Sequence, residues 1–293
     1  MRVARSECAQ DAPAPGTAIG IFVTNQLAGY RGPCGRTKHE DCGMARWASL
    51  VEKRRRERPV LLIDTGDFSL PPGTGSREMK GRYFFEGMRL LNHDAVGIGE
   101  SEIGTGLDEV SATAKKYRIP LVCANIIDRR LKRSPFPATI VRDVGGRRML
   151  FGRKGAARVG IFSVALPGYI YATGADVSKN YFVVDPRLSA LEAATNLRAR
   201  GCDLIIAVSH LGWTKSLELA REVPGIDLVL KGHRSHDTVY VERPGSVVVV
   251  DTGPCERSFT ELGITFAGDS LVVTSADVCS KALASKPAGI PQR

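Results

Sequence analysis

The fold is decided by residues 203–233, which read DLIIAVSHLGWTKSLELAREVPGIDLVLKGH. Two apolar, β-branched runs, DLIIAVS (203–209) and IDLVLKG (226–232), flank a helical pattern over Lys215–Glu222. Strand, helix and strand in this order predict a right-handed βαβ unit, whose parallel strands end at the same edge of a sheet. His210 and His233 follow the two strands directly. We therefore expect both histidines at that edge.

The same alternation extends over most of the chain. Strands are predicted at 18–24, 59–64, 94–98, 120–126 and 158–164, and helices at 43–57, 78–91, 107–117 and 187–200. The last sixty residues are mostly strands joined by turns such as RPGS and AGDS. This order predicts an α/β protein in which two mixed sheets pack face to face with helices outside, a four-layer α/β/β/α sandwich.

Length and composition indicate an ordinary globular domain. Of 293 residues, 43% are hydrophobic and 25% are charged. We predict one domain over residues 18–278, a flexible leader over 1–17 and a tail over 279–293. The sequence contains no run of 18 or more apolar residues, so no membrane span is predicted. The leader has Arg2 and Arg5 but no apolar stretch behind them, so it does not match an intact signal peptide.

The chain is basic, with a net charge of +10 and a pI near 9.4. Lys and Arg are spread along the sequence, and only 53–58 and 129–133 form short clusters. The first cluster closes a helical pattern, where cations favour the negative end of the helix dipole. We therefore predict solvated basic surfaces and no nucleic-acid partner.

Polar residues follow several of the predicted strands. Asp67 comes after 59–64, Glu100 after 94–98, and His210 and His233 after the strands of the βαβ unit. Side chains at strand ends are exposed yet held by a rigid scaffold. Two carboxylates and two imidazoles form a ligand set that suits Zn, Mn or Fe. These residues predict either a metal site or a phosphate site.

Six segments resemble the calcineurin-like metallophosphoesterases, specifically the N-terminal catalytic domain of bacterial 5′-nucleotidases. The resemblance covers about residues 18–265 and rests on DTGDF, HDAVGIG, PLVCANI, RVGIFSV, CDLIIAVSHLG and VPGIDLVLKGH, which occur in the family's order. It implies a two-metal phosphoesterase domain. It also implies that the nucleotidases' C-terminal substrate-binding domain has no counterpart here.

The family's ligands carry over unevenly. The bridging aspartate falls on Asp67, and two metal-binding histidines fall on His210 and His233. Where the family has an Asn ligand followed by a catalytic His, this chain has Glu100 and Ser101. The resemblance thus implies a complete four-ligand site with one additional negative charge and without the usual general acid.

The resemblance implies that the other metal site has lost two of its ligands. Gln26 and Ala28 stand where the family has an Asp and a His. The closing motif, GHRSH, carries one additional residue, which leaves the placement of His236 open. The resemblance therefore implies either one divalent ion, Zn, Mn or Fe, in place of two, or no ion.

Three cysteines lie in loops that border the active-site face in this family: Cys34, Cys42 and Cys255. They predict a loop disulfide, free thiols, or a metal or redox site. The eight-residue spacing of the first two matches no strong zinc signature. By contrast, Cys123 and Cys202 lie in buried-strand patterns, where cysteine acts as a small hydrophobe.

Three functions remain open on the sequence. The favoured hypothesis is a non-catalytic relative, a structural or interaction subunit of a larger protein complex, because the first-site ligands and the catalytic His are missing. The second is a divergent metal-dependent phosphoesterase acting on a phosphoester, because four ligands remain. The third is a thiol or redox protein. The resemblance further implies a periplasmic or extracellular location, although this chain carries no signal peptide.

Overall fold

The computed structural model describes residues 18–27, 44–69, 85–148, 153–172, 175–233, 239–253, 260–267 and 270–278. Its helices are α1 (Met44–Glu57), α2 (85–91), α3 (Glu100–Thr105), α4 (Leu107–Tyr117), α5 (Tyr169–Ala172), α6 (Ala175–Asn180), α7 (Pro186–Ala199) and α8 (Trp213–Glu222). Within these ranges, no helix has the length and apolar character needed to cross a membrane.

Thirteen strands accompany them in the described ranges. They are β1 (Ala18–Thr24), β2 (Val60–Asp64), β3 (Ala95–Val96), β4 (Ile126–Asp128), β5 (Thr139–Arg148), β6 (Arg153–Ala165), β7 (Tyr181–Val183), β8 (Leu204–His210), β9 (Leu228–Lys231), β10 (Tyr240–Glu242), β11 (Val248–Asp251), β12 (Thr260–Ala267) and β13 (Ser270–Val278).

The strands form two large mixed sheets. The first has the order β13-β12-β1-β2-β3, and the second has the order β10-β11-β9-β8-β6-β5. The centre of each sheet is parallel, as in β1-β2-β3 and in β11-β9-β8-β6, and antiparallel strands lie at one or both edges. Strands β4 and β7 form a separate small sheet.

Alternate residues of each strand enter different cores, as the two-residue period of a strand requires. Ile21 of β1 and Ile206 of β8 meet in the core between the two sheets. The next residue of β1, Phe22, lies in the outer core beneath α1, α2 and α4. The next residue of β8, Ala207, lies in the outer core beneath α7 and α8. The predicted four-layer α/β/β/α sandwich is confirmed.

The predicted βαβ unit is also present, since β8 and β9 pair in parallel from Ile206 and Leu228 to Ser209 and Lys231. In the other sheet, Thr24, Asp64 and Val96 are register partners at the ends of β1, β2 and β3. The segments with the four predicted ligands therefore follow the carboxyl ends of the parallel strands in both sheets.

The predicted strand over 120–126 is wrong. Leu121 makes only an isolated bridge to Val96. Further on, the Asn125 side chain accepts the backbone N–H of Ala165 at 2.9 Å and donates to its carbonyl at 2.8 Å. A side chain thus takes the hydrogen bonds that a strand backbone would make. Cys123 and Cys202 are buried as predicted, and burial raises the pKa of the Cys123 thiol to about 11.

Candidate metal centre

Four side chains converge between the two sheets: Asp67, Glu100, His210 and His233. One ligand atom from each lies within 4.8 Å of all the others. Glu100 is half-buried and the other three are buried. These are the four residues that the sequence nominates as ligands, and their binding of an ion remains a prediction.

Each sheet supplies two of the four. Asp67 lies in the loop after β2, and Glu100 begins helix α3 just after β3. His210 is the last residue of β8, and His233 follows β9 by two residues. The N-terminus of helix α3 is capped, since the Glu102 carboxylate accepts the N–H of Gly99 at 2.9 Å.

The backbone is strained at this centre. Asp67 has a φ of 58°, His233 a φ of 61° and the nearby Gln26 a φ of 48°. These are three of the six non-glycine residues with positive φ in the described ranges. Left-handed conformations of such residues cost energy and cluster at functional sites. The strain supports a functional role for these loops.

Close packing at the centre requires glycine at position 99. A Cβ on Gly99 would lie 2.3 Å from Asp67 Oδ1 and 2.7 Å from His210 Cε1. Real Cβ atoms do not approach other atoms so closely. A side chain at position 99 would therefore separate Asp67 from His210.

Glu102 fixes the loop that carries Asp67. Its carboxylate accepts the backbone N–H groups of Asp67 at 2.9 Å and of Ser69 at 2.8 Å, in addition to that of Gly99. In return, Asp67 Oδ1 accepts the N–H of Ser101 at 2.9 Å. Burial and the charge of Asp67 raise the pKa of Glu102 to about 7.

The two histidine rings are held by carboxylates on one side. Glu100 Oε2 lies 2.6 Å from His210 Nε2, and Glu100 Oε1 lies 2.8 Å from His233 Nδ1. Asp67 Oδ2 lies 3.2 Å from His210 Nε2. Burial opposes the charged forms of His210 and Glu100, but these contacts outweigh the effect of burial on both pKa values. They raise the pKa of His210 to about 10 and lower the pKa of Glu100.

Each ring is also bonded on its other side. His210 Nδ1 donates to the Thr65 carbonyl at 2.9 Å, and His233 Nε2 lies 3.0 Å from the Tyr169 hydroxyl. Metal-binding histidines in proteins usually have such a second partner, which fixes the ring orientation. Two imidazole nitrogens and two carboxylates facing one another form a donor set that fits Zn, Mn or Fe.

The sequence and the fold are similar to those of known phosphoesterases. No family model matches the sequence. A snake venom 5′-nucleotidase of Crotalus adamanteus is 28% identical over 222 residues, which cover 73% of this chain and 36% of that protein. The structure of a 5′-nucleotidase precursor from Thermus thermophilus is 26% identical, with a TM-score of 0.70, and the match covers 89% of this chain and 54% of that one.

A second structure, the calcineurin-like phosphoesterase YfkN of Bacillus subtilis, has the same fold, with a TM-score of 0.74 at 21% identity over 93% of this chain and 94% of that one. The chain is therefore similar in sequence to 5′-nucleotidases and similar in fold to a calcineurin-like phosphoesterase. It spans about a third of the length of the curated relatives it matches.

Two positions that depart from the metallophosphoesterase pattern lie beside the centre. The backbone N–H of Gln26 donates to the Gly66 carbonyl at 3.1 Å, next to Asp67. Ser101, at the position of the family's catalytic His, is buried in α3 and bonded to Asp67 through its backbone. The other predicted site residues lie outside the described residues and stay predictions: Ala28, His236, Cys34, Cys42 and Cys255.

Three residues that bond the ligands of the candidate centre could not be predicted from the sequence: Thr65, Glu102 as an acceptor of backbone N–H groups, and Tyr169. Glu102 is visible in the string GESE, but the sequence offers no sign of which N–H groups it accepts. Tyr169 is separated from His233 by 64 residues. No motif in the surrounding ALPGYIYA marks it.

Proposed function

We propose that this chain is a divergent metal-dependent phosphoesterase that works with a single divalent ion. The observation that carries the proposal is the convergence of Asp67, Glu100, His210 and His233, with all ligand atoms within 4.8 Å. The relatives' names add support, since they include 5′-nucleotidases and a nucleotide phosphoesterase. A purely structural role would not require four buried or half-buried ligands, two of which have a strained backbone.

A divalent ion held by these four side chains would polarise the phosphoester and activate the attacking water. The protein's contribution is positioning. Thr65 orients the ring of His210, and Glu102 holds the loop of Asp67 through three backbone N–H groups. Both partners are buried, so the ligand set is organised before substrate arrives.

Ser101 shapes the substrate preference we expect. A serine hydroxyl is a poor acid at neutral pH, and general acid catalysis contributes about a hundredfold to ten-thousandfold. An ester whose leaving group departs without a proton needs no general acid, so the absence of one slows its hydrolysis little. The enzyme should therefore favour aryl phosphoesters, such as p-nitrophenyl esters, over alkyl phosphoesters such as nucleotides.

The non-catalytic subunit remains the second candidate. Two positions favour it, because Ser101 replaces the general acid and Gln26 replaces a ligand of the first ion. In that case the centre would bind an ion, or none, as a structural element. The same assay separates the two functions.

The assay uses protein stripped with a chelator and reloaded with Mn or Zn. We expect slow hydrolysis of bis-p-nitrophenyl phosphate that requires added metal. Substitution His210→Ala should abolish it, whereas the control His93→Gln should not, because His93 bonds Met88 away from the centre. Absence of turnover with every metal, or full activity in the His210→Ala variant, would overturn the proposal.

A further inference from the structure

Tyr169 contacts the candidate centre from outside the four ligands. It begins the short helix α5, and its hydroxyl lies 3.0 Å from His233 Nε2. The two rings pack edge to face, with centroids 5.3 Å apart. Tyr169 therefore bonds the side of His233 that faces away from Glu100.

Donor and acceptor rules assign one proton of His233 in the metal-free protein. An ionised carboxylate only accepts hydrogen bonds, so the contact of Glu100 Oε1 with Nδ1 at 2.8 Å requires a proton on Nδ1. Tyr169 bonds the other ring nitrogen, Nε2, at 3.0 Å. A hydroxyl can make this bond whether Nε2 carries a proton or not.

An ion held at Nδ1 would take the place of the proton there, and the ring's proton would then be on Nε2. That Nε2–H would donate, and the Tyr169 oxygen would accept. A hydroxyl can play both parts, whereas a carbonyl only accepts and an ammonium only donates. His210 differs, since the Thr65 carbonyl opposite its Nδ1 only accepts and requires a proton there in both states.

We infer that Tyr169 is a positioning residue for the metal site, because its bond to Nε2 and its ring contact hold the His233 ring with Nδ1 directed at the ion. This inference rests on the proposed function, because it concerns the same centre. It adds a partner that the ligand pattern does not contain.

The test compares Tyr169→Phe with Tyr181→Phe. Both remove one hydroxyl and keep the ring, but Tyr181 bonds Asp108 at 2.6 Å and touches no ligand. Zn and Mn affinities are measured by chelator competition. We expect Tyr169→Phe to weaken binding about tenfold to a hundredfold, as for other residues that orient a metal-binding histidine. The control should stay within about twofold of the unsubstituted protein.

A second readout separates positioning from general destabilisation. In 15N-labelled, Zn-loaded protein, the His233 Nε2–H should exchange slowly with solvent, and Tyr169→Phe should make it exchange fast. Equal metal affinity in the two variants, or unchanged solvent exchange of the His233 Nε2–H, would overturn the inference about Tyr169 and leave the proposed function standing. If the unsubstituted protein binds neither Zn nor Mn, the proposed function fails and the inference fails with it.

Discussion

Glu102 and Asp67 are joined through the backbone, since the buried Glu102 carboxylate accepts the Asp67 N–H at 2.9 Å. The bond crosses from helix α3 to the loop after β2, and Asp67 is held there with a φ of 58°. A strained residue keeps such a conformation only when its surroundings enforce it. Glu102 is therefore part of what makes Asp67 a ligand.

Replacing Glu102 should loosen the centre. Glu102→Gln keeps the shape but leaves one accepting oxygen for three N–H groups. We expect metal affinity to fall about tenfold, as when other residues that orient ligands are lost. The free energy of unfolding should also fall, by about 1 to 3 kcal/mol, through unsatisfied buried N–H groups. Metal titration and urea unfolding measure both. The control Glu109→Gln, at an exposed position, should change neither the metal affinity nor the free energy of unfolding. If Glu102→Gln also changed neither, the Asp67 loop would not depend on Glu102.

The extra charge of Glu100 should penalise an anionic substrate. The metallophosphoesterase pattern has a neutral Asn at this position. We expect Glu100→Gln to bind metal more weakly and, at saturating metal, to lower the KM for a phosphoester roughly tenfold, because a like charge is removed from the site. Glu100→Asp keeps the charge and serves as the control. Equal KM values for the two variants would argue against charge as the cause.

A buried ion pair supports strand β9, which ends two residues before His233. Lys231 Nζ lies 2.9 Å from Asp251 Oδ2, and both side chains are fully buried. Removing one partner leaves a buried charge without its counter-ion, so Lys231→Met should cost about 3 to 5 kcal/mol in the free energy of unfolding. Adding Asp251→Leu should recover a large part of that loss. Chemical denaturation of both variants measures it, and a double variant no more stable than Lys231→Met would refute the pairing argument.

His93 should make the fold sensitive to acid. Burial lowers the pKa of His93 to about 4, from an ordinary value of 6.5. Below pH 6.5 the unfolded chain takes up a proton that the folded chain does not bind, so stability is lost as pH falls from about 6.5 to about 4. The loss should be on the order of 3 kcal/mol. His93→Gln should remove this part of the pH dependence in urea unfolding between pH 7 and pH 4.5. If the free energy of unfolding depended on pH in the same way in both proteins, His93 would not be the cause of the acid sensitivity.

Sequence patterns succeed where a local rule is strong. Strand β1 and helix α4 occur at their predicted bounds, because their apolar periods are unambiguous. The positions of His210 and His233 follow from the βαβ order, which brings both strand ends to one edge. Four ligands could therefore be nominated before their distances were known.

Sequence patterns fail where long-range contacts decide. The strand expected at 120–126 is replaced by side-chain bonds from Asn125 to Ala165, a partner 40 residues away. The partner of His233 is Tyr169, 64 residues away on a helix of four residues. None of these contacts has a periodic signal that a sequence could reveal.

The central claim is that one ion binds at Asp67, Glu100, His210 and His233. Its most direct test is the metal-to-protein ratio after reloading with Mn or Zn and desalting, measured by mass spectrometry of the elements. We expect about one equivalent, lost in His210→Ala. Two equivalents, or none, would contradict the claim.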